Sequence, residues 1–505
     1  MTRKLSIAFV HPDLGIGGAE RLVVDAAISL KNRGHRVVIY TMHHDLSHCF
    51  EETRDGTLEV RVGGNWLVPP SINGRFTILC TVLRSLMLAR KLTNDNEQYD
   101  IVFVDQLSAP IPLLKYARAH ILFYCHFPDY LSASHDSFTK KLYRVPFDLL
   151  EEFTTGEADE ILVNSRFTQE TFRNAFPHLS RIPKVLMPAL NLLKYDTPAD
   201  MDDPSLRAFQ TNKKIVLSIN RFERKKDIGL AIDAFELFLS KSKAEGKQVT
   251  QASSNATPGN SSDGCCLIVA GGWDPKVLEN TEYLKELDTH ARRLGLCTRV
   301  ISPQTISPEA RRLLPGDVVS APTILDTLIE YKDDSEASVP SKEQEDPLAL
   351  VDVLFLPSFT ENQRAYLLSA AKCVVYTPTN EHLGIVPLEA MYTRTPVVAV
   401  NSGGPRETVQ NGKTGYLCEP VKEEFAMAIA KILSMSDSKR QAMANTGHET
   451  IKEKFSLDTF GEKLENIILN TMEHPTSSST VLGVLLTLFI IFTAGTTILV
   501  TIWWS

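Results

Sequence analysis

No CxxC pair and no Cys/His ligand spacing occurs among the eight cysteines of this chain. Cys49, Cys80, Cys125, Cys265, Cys266, Cys297, Cys373 and Cys418 are scattered, which points to reduced thiols in a cytosolic setting and argues against a structural zinc. Basic charge is also lacking. The net charge is −8, so nothing offers the cationic footprint that nucleic-acid binding needs. The dinucleotide fingerprint fails on one residue. Gly15-Ile16-Gly17-Gly18-Ala19-Glu20 follows an apolar strand, but G-x-G-x-x-G would need glycine where Glu20 stands, at the helix start where a pyrophosphate would sit. NAD and FAD are therefore disfavoured, while Gly17 and Gly18 still allow a sugar-phosphate to approach the backbone. A cleavable leader is not expected, because Arg3 and Lys4 precede only a short apolar run that leads into Asp13 and glycines. Asp200-Met201-Asp202 has the D-x-D form of metal-dependent transferases but lies in a Pro/Asp-rich linker with no strand before it. We expect no catalytic metal and no cofactor.

What is present is globular α/β sequence, 505 residues long, enough for two to four domains. In the first half an apolar strand (5–10), the glycine turn, an amphipathic helix (21–31) and a second strand (37–41) open a doubly wound sheet. Strands at 101–104, 121–125 and 160–163 continue it. The second half repeats the logic with strands at 214–219, 266–270, 299–301, 353–356, 373–376 and 396–400. Two such sheets imply a cleft lined by the carboxyl ends of strands. The expected division is 1–205, an acceptor-side Rossmann-like domain; 206–435, a nucleotide-sugar-binding Rossmann-like domain; 436–473, helices crossing back to the first domain; and 481–502, an anchor.

That last stretch, VLGVLLTLFIIFTAGTTILVTI, carries no charge. At ~1.5 Å per residue it would span ~33 Å, about one bilayer core, with Trp503 and Trp504 as interfacial anchors. The expectation is one C-terminal transmembrane helix with the rest of the chain in the cytosol. Residues 76–89 (FTILCTVLRSLMLA) form an apolar helix with Leu79, Val82, Leu83, Leu86 and Met87 on one face. Packing on the first sheet is favoured over a face dipping into a bilayer. Residues 241–264 and 333–346 read as surface loops.

Residues 379–420 carry most of the chemistry. Glu381 and Glu389 flank Leu383-Gly384-Ile385-Val386-Pro387, a loop turning into a helix, whose free amides (Gly384, Ile385, Val386) suit an anion. Carboxylates beside a phosphate suit hydroxyl donors, so the pair fits the ribose and hexose of a nucleotide sugar. Arg221, Arg224, Lys225 and Lys226 follow a strand of the second half and could neutralise a diphosphate leaving group. His126, at the carboxyl edge of a first-half strand, could bond a reacting hydroxyl; a satisfied core histidine is the equal alternative.

With these residues assembled, the chain resembles the GT-B glycosyltransferases of the large retaining family that includes many mannosyltransferases. The marks are the E-x(7)-E pair Glu381/Glu389, Arg221 with Lys226, the GGAE loop and the GGP turn at Gly403 to Pro405. Within that family it is similar to the mannosyltransferases of lipid-linked oligosaccharide synthesis, through HPDLGIGGAERLVVDAA, FYCHFPD, NRFERKKD, EHLGIVPLEAM, DQLS and RVPFDLLEEF. The resemblance implies GDP-mannose as donor and one mannose on chitobiose-diphosphate-dolichol as acceptor. It implies two mannoses added in turn, one α-1,3 and one α-1,6. It further implies the endoplasmic reticulum membrane, with the catalytic domain on the cytoplasmic face, and other early mannosyltransferases as partners. Residue by residue, it implies that Arg221 and Lys226 hold the diphosphate, Glu389 the ribose and Glu381 the mannose hydroxyls. Gly18 and the amides of Gly384 to Val386 would approach the phosphates, with His126 near the reacting sugar. The alternatives are another donor or lipid acceptor on the same fold, and a catalytically silent scaffold.

Overall fold

A computed structural model describes residues 3–64, 67–72, 76–95, 97–132, 138–252, 264–302, 314–315, 318–320 and 346–476. The chain divides into two compact units, one of Met1–Ala189 with Lys454–Ser505, the other of Leu190–Glu453.

In the first unit the strands are β1 (Ser6–Asp13), β2 (Arg36–His43), β3 (Glu59–Val62), β4 (Ile101–Asp105), β5 (His120–Cys125), β6 (Glu160–Val163) and β7 (Lys184–Val185). They pair in parallel in the order β3-β2-β1-β4-β5-β6-β7. Helices α1 (Gly18–Asn32), α2 (Thr77–Asn94), α3 (Ile111–Leu114), α4 (Asp129–Ser132), α5 (Phe138–Gly156) and α6 (Arg166–Ala175) connect them. Successive side chains of a strand point to opposite faces, so β1 feeds two cores. Ile7 and Phe9 join the face covered by α1, and Ala8 and Val10 join the other. That double burial is why the strand reads as an unbroken apolar run.

The second unit holds β8 (Lys214–Ile219), β9 (Cys265–Gly271), β10 (Thr298–Ser302), β11 (Val318–Ser320), β12 (Val353–Pro357), β13 (Cys373–Tyr376), β14 (Val397–Val400) and β15 (Gly415–Cys418). They too are parallel, in the order β11-β10-β12-β9-β8-β13-β14-β15. Its helices are α7 (Leu193–Asp196), α8 (Ile228–Ala252), α9 (Leu278–Arg293), α10 (Glu361–Ala370), α11 (Ile385–Tyr392), α12 (Pro405–Thr408), α13 (Lys422–Leu433) and α14 (Asp437–Phe455). Finally α15 (Leu457–Met472) belongs to the first unit. It buries Phe460, Leu464 and Ile468 in the core beneath α1. Glu465 clamps it there, accepting from Arg33 Nε at 2.6 Å and lying 3.0 Å from His35 Nε2.

Two expectations change. The fold is corrected to two α/β units, with no support for the transmembrane helix or for the membrane location that a single anchor would set. No helix among the described residues is long and apolar enough to cross a membrane. For α2, the apolar helix weighed against a bilayer, the physical reason is charge. The apolar helix α2 carries Arg84, Arg90 and Lys91, and it buries Cys80, Val82, Ser85, Leu88, Ala89 and Leu92 within the unit. Residues 481–502 themselves lie outside the described residues. Secondly, the expected loop at 241–264 is helical up to Ala252 as the end of α8, since its Lys, Ala, Glu and Gln are strong helix formers. Residues 253–263 lie outside the described residues, as do 333–345 of the second expected loop.

Candidate active site

The first sheet reverses its strand order between β1 and β4, and the second reverses beside its first strand, between β8 and β13. Ligands of open α/β sheets bind at the carboxyl ends of strands beside such a switch point. The chemistry-bearing residues fall there in both units.

In the second unit Lys226 follows β8 and Glu381 follows β13. Lys226 closes a short 3-10 turn, and its carbonyl accepts from Thr377 Oγ1 at 2.8 Å, tying it to the end of β13. Its buried ammonium donates to Glu381 Oε1 at 2.5 Å. The Glu381 loop rests on the GGP turn. Gly404 N–H donates to the Glu381 carbonyl at 2.7 Å. A Cβ on Gly403 would stand 2.4 Å from that oxygen, and one on Gly404 would stand 2.2 Å from the Leu383 carbonyl. The two glycines are therefore required by close backbone approach.

Gly384 ends the loop with φ +77 and opens α11. Its helix-end amides are those of Ile385 and Val386, because Pro387 has none. An added Cβ would lie 3.2 Å from the buried Tyr376 ring. Replacing Gly384 by alanine is expected to cost ~1–2 kcal/mol, from the left-handed backbone and that contact. Denaturant titration checks it; an unchanged midpoint would show that this loop does not need glycine.

The structure disperses the four cations after β8. Arg221 is exposed and pairs with Glu223 Oε1 at 2.9 Å. Lys225 lies 3.2 Å from Glu223 Oε2. Arg224 reaches Glu282 and Glu286 of α9 at 3.3 and 2.5 Å, and covers the Tyr283 ring. Its guanidinium is committed to α9. Of the four, Lys226 alone is buried.

Glu389 is enclosed. Its residue is 3% exposed. Tyr195 donates its hydroxyl to Oε1 at 2.6 Å, and Arg364 Nη2 of α10 lies 3.2 Å from Oε2. Arg364 also covers the Phe359 ring. Burial raises the Tyr195 hydroxyl well above its ordinary range and the Glu389 charge adds to this, so the phenol stays a donor. Burial disfavours the Arg364 charge, but Glu389 outweighs it and the guanidinium stays protonated.

In the first unit His11 of β1, Asp105 at the end of β4 and His126 just past β5 meet. Asp105 Oδ2 lies 2.8 Å from His11 Nδ1, and Oδ1 lies 2.9 Å from His126 Nε2. Glu20, in the first turn of α1, stands 3.8 Å from His11 Nε2, too far for a hydrogen bond, so it acts there as a charge. Burial alone would lower the His11 imidazole. Asp105 and Glu20 outweigh it and raise the group to about 9, so it is cationic at neutral pH. Burial likewise opposes the Asp105 charge, but His126 and His11 hold the carboxyl below its usual range. A Cβ on Gly17 would fall 2.2 Å from Glu20 Oε2, the end of a flexible side chain that can swing aside, and a Cβ on Gly18 would meet nothing within 4 Å.

Sequence reasoning had found Glu381, Glu389, Lys226, Arg221, the two glycine loops and His126, but assigned no role to His11, Asp105, Tyr195 or Arg364. DQLS had marked Asp105 without its partners. No local pattern announces Tyr195 or Arg364. Asp200 and Asp202 line a separate cavity of about 630 Å³ with Lys194, Glu361 and Asn362. No group of three or more His, Cys, Asp or Glu side chains among the described residues is placed to hold a metal ion.

Residues 16–184 match the family Glycosyltransferase Family 4, and residues 338–450 match Glycosyl transferases group 1. The alpha-1,3/1,6-mannosyltransferase ALG2 of Rhizomucor pusillus is 44% identical over 93% of this chain and 92% of its own length. The chain belongs to the α-1,3/1,6-mannosyltransferase family. Its relatives in this family include the Dictyostelium discoideum enzyme, 39% identical over 92% of this chain and 98% of its own. The human enzyme is 41% identical over 91% and 95%. Among solved structures, Anabaena Alr3699/HepE in complex with UDP and glucose has 19% identity and a TM-score of 0.56 over 92% of this chain and all of its own. WaaG, a glycosyltransferase of lipopolysaccharide biosynthesis, has 15% identity and a TM-score of 0.53 over 92% of this chain and 99% of its own. At such identities these two show the GT-B-like fold alone.

Proposed function

We propose that this chain is a retaining mannosyltransferase that takes mannose from GDP-mannose and adds it to Man1GlcNAc2-diphosphate-dolichol, first in one linkage and then in the other, α-1,3 and α-1,6. The observation that carries the reading is the Lys226–Glu381 pair at the switch point of the second sheet. The reading takes the buried cation for phosphate and the carboxylate beside it for hydroxyls. An ammonium has three donors. One goes to Glu381, leaving two for diphosphate oxygens, with Arg221 and the Ile385 and Val386 amides as further donors. Glu381 keeps acceptor capacity for mannose hydroxyls. Glu389 takes the ribose through Oε2, which is ion-paired with Arg364 Nη2 at 3.2 Å but makes no hydrogen bond to protein among the described residues. In the first unit Gly17 and Gly18 let backbone approach the donor, and His126 serves a hydroxyl of the reacting sugar.

In the transfer step the bond from mannose C1 to the diphosphate oxygen breaks. The acceptor oxygen bonds C1 on the same face, and its proton passes to the departing diphosphate. No protein nucleophile is needed, and the residues act by positioning and electrostatic stabilisation. The test is the purified chain with GDP-mannose and a monomannosyl lipid-linked acceptor, read by product mass. Products one and two hexoses heavier, formed equally with EDTA present, are the expected result. Preference for another nucleotide sugar would move the donor assignment. Donor binding without turnover on any lipid acceptor would make the chain a silent scaffold.

A further inference from the structure

We propose that Asp105 and His11 are positioning residues for His126, holding its imidazole with Nε2 toward Asp105 so that Nδ1 is the atom offered to a sugar hydroxyl. This rests on the assignment of His126 to the reacting sugar.

Three strands supply the assembly, and none of its contacts is local in sequence. The Asp105 carboxylate is 1% exposed and bridges two imidazoles. A carboxylate only accepts hydrogen bonds, so both facing nitrogens carry protons. In the neutral His126 ring the proton on Nε2 leaves Nδ1 as an acceptor. Among the described residues no protein hydrogen bond falls on that atom, and the side chain is 24% exposed. The rest of His126 is held firmly. Tyr124 packs against its ring with centroids 4.9 Å apart, and Asn164 Nδ2 donates to its carbonyl at 3.1 Å. Asp105 is fixed from behind as well. Gln106, at φ +68, turns the chain sharply after β4, and its N–H donates to the Tyr124 carbonyl at 3.1 Å. That bond keeps the ends of β4 and β5 together.

His11 is wholly buried, and its Nε2 has no hydrogen-bond partner among the described residues. Such an orphaned donor brings no stability of its own, and well-packed apolar residues would serve a core at least as well. The chain Glu20–His11–Asp105–His126 also does not close on itself. It runs from the GGAE turn through the interior and ends at the partly open imidazole. The His11 cation balances the Asp105 charge, so the carboxylate can orient His126 without presenting a full unpaired charge to it.

The test uses the full chain labelled with ¹⁵N-histidine. In the wild type, the neutral His126 ring is expected to be protonated at Nε2. Asp105→Asn should mix the tautomers and lower kcat about 100-fold, the scale of a misplaced reacting group, with the KM for GDP-mannose changed less than about threefold. His11→Ala, which removes the donor that faces Asp105, should loosen the tautomer and lower kcat about tenfold, and His11→Asn, whose amide can still donate to Asp105, should restore part of both. A wild-type His126 protonated at Nδ1 would overturn the proposal, as would folded Asp105→Asn protein turning over at the wild-type rate. The tautomer is read without turnover, so failure of the assigned reaction would leave this readout to decide alone.

Discussion

Replacing Lys226 by alanine is expected to lower mannosyl transfer roughly 1,000-fold while leaving the chain folded. Removing one preorganised donor from a developing anion costs about 10²–10³ in rate, and the proposed reading sets the departing diphosphate at this ammonium. Exposed cations nearby are poor substitutes. Arg221 is bound to Glu223 in solvent, and Arg224 is held on α9. The cost in stability is smaller. Glu381 loses its partner, but its side chain is 26% exposed and water solvates it. Lys226→Arg should rescue little. A planar fork cannot take the place of a compact ammonium seated 2.5 Å from one carboxylate oxygen. Transfer of radiolabelled mannose to the lipid acceptor gives the answer. A folded Lys226→Ala protein within about tenfold of wild type would show that this lysine does not hold the leaving group.

Lys226 was legible in the sequence because a cationic run after an apolar strand needs no distant information. The same holds for most of the sheet framework. β6, β8 and β13 run over the expected residues, and β1, β2, β4, β5, β9, β10, β12 and β14 differ from expectation at their ends. The strands missed were β3, β7, β11 and β15. All four are edge strands of two to four residues, and none forms the long apolar run of a doubly buried strand. β15, GYLC, closes the other end of its sheet and reads locally as turn.

The site was legible only where its residues share a loop. The Gly403 and Gly404 pair could be seen as a turn, but its work, admitting the carbonyls of Glu381 and Leu383, depends on β13 and β14 lying side by side. The Asp105 bridge needs β4 set between β1 and β5, a parallel pairing across about a hundred residues of sequence in one direction. The GGAE glutamate looked like an obstacle to a pyrophosphate. In the structure it leans on Gly17 and faces His11, so it lies below the turn. Glu389 was expected to hold the ribose, with no protein partner foreseen. Its enclosure by Tyr195 and Arg364 comes from elements separated from it by 194 and 25 positions, which no periodicity encodes.

That enclosure sets the other large effect. Arg364→Ala is expected to destabilise the second unit by ~3–5 kcal/mol, because it strands a buried carboxylate. The Arg364 side chain is 19% exposed and that of Glu389 is 4% exposed, so water cannot replace the guanidinium as it does at Glu381. Tyr195 offers a single hydroxyl proton and already donates it to Oε1. The variant also loses the stacking of Arg364 on Phe359, 5.6 Å from the ring centroid. For a unit of this size the midpoint of thermal unfolding should fall by roughly 10 °C. Glu389→Gln in the same chain removes the stranded charge, so the double variant should be more stable than Arg364→Ala alone, a coupling that a double-mutant cycle measures directly. Binding separates the two roles of Glu389. If it holds the ribose, Glu389→Gln alone should weaken GDP-mannose binding with little loss of kcat at saturation. If it only pins Tyr195 and Arg364, stability changes and binding does not. A midpoint for Arg364→Ala within about 2 °C of wild type would mean that the Glu389 carboxylate does not need Arg364 to stay buried.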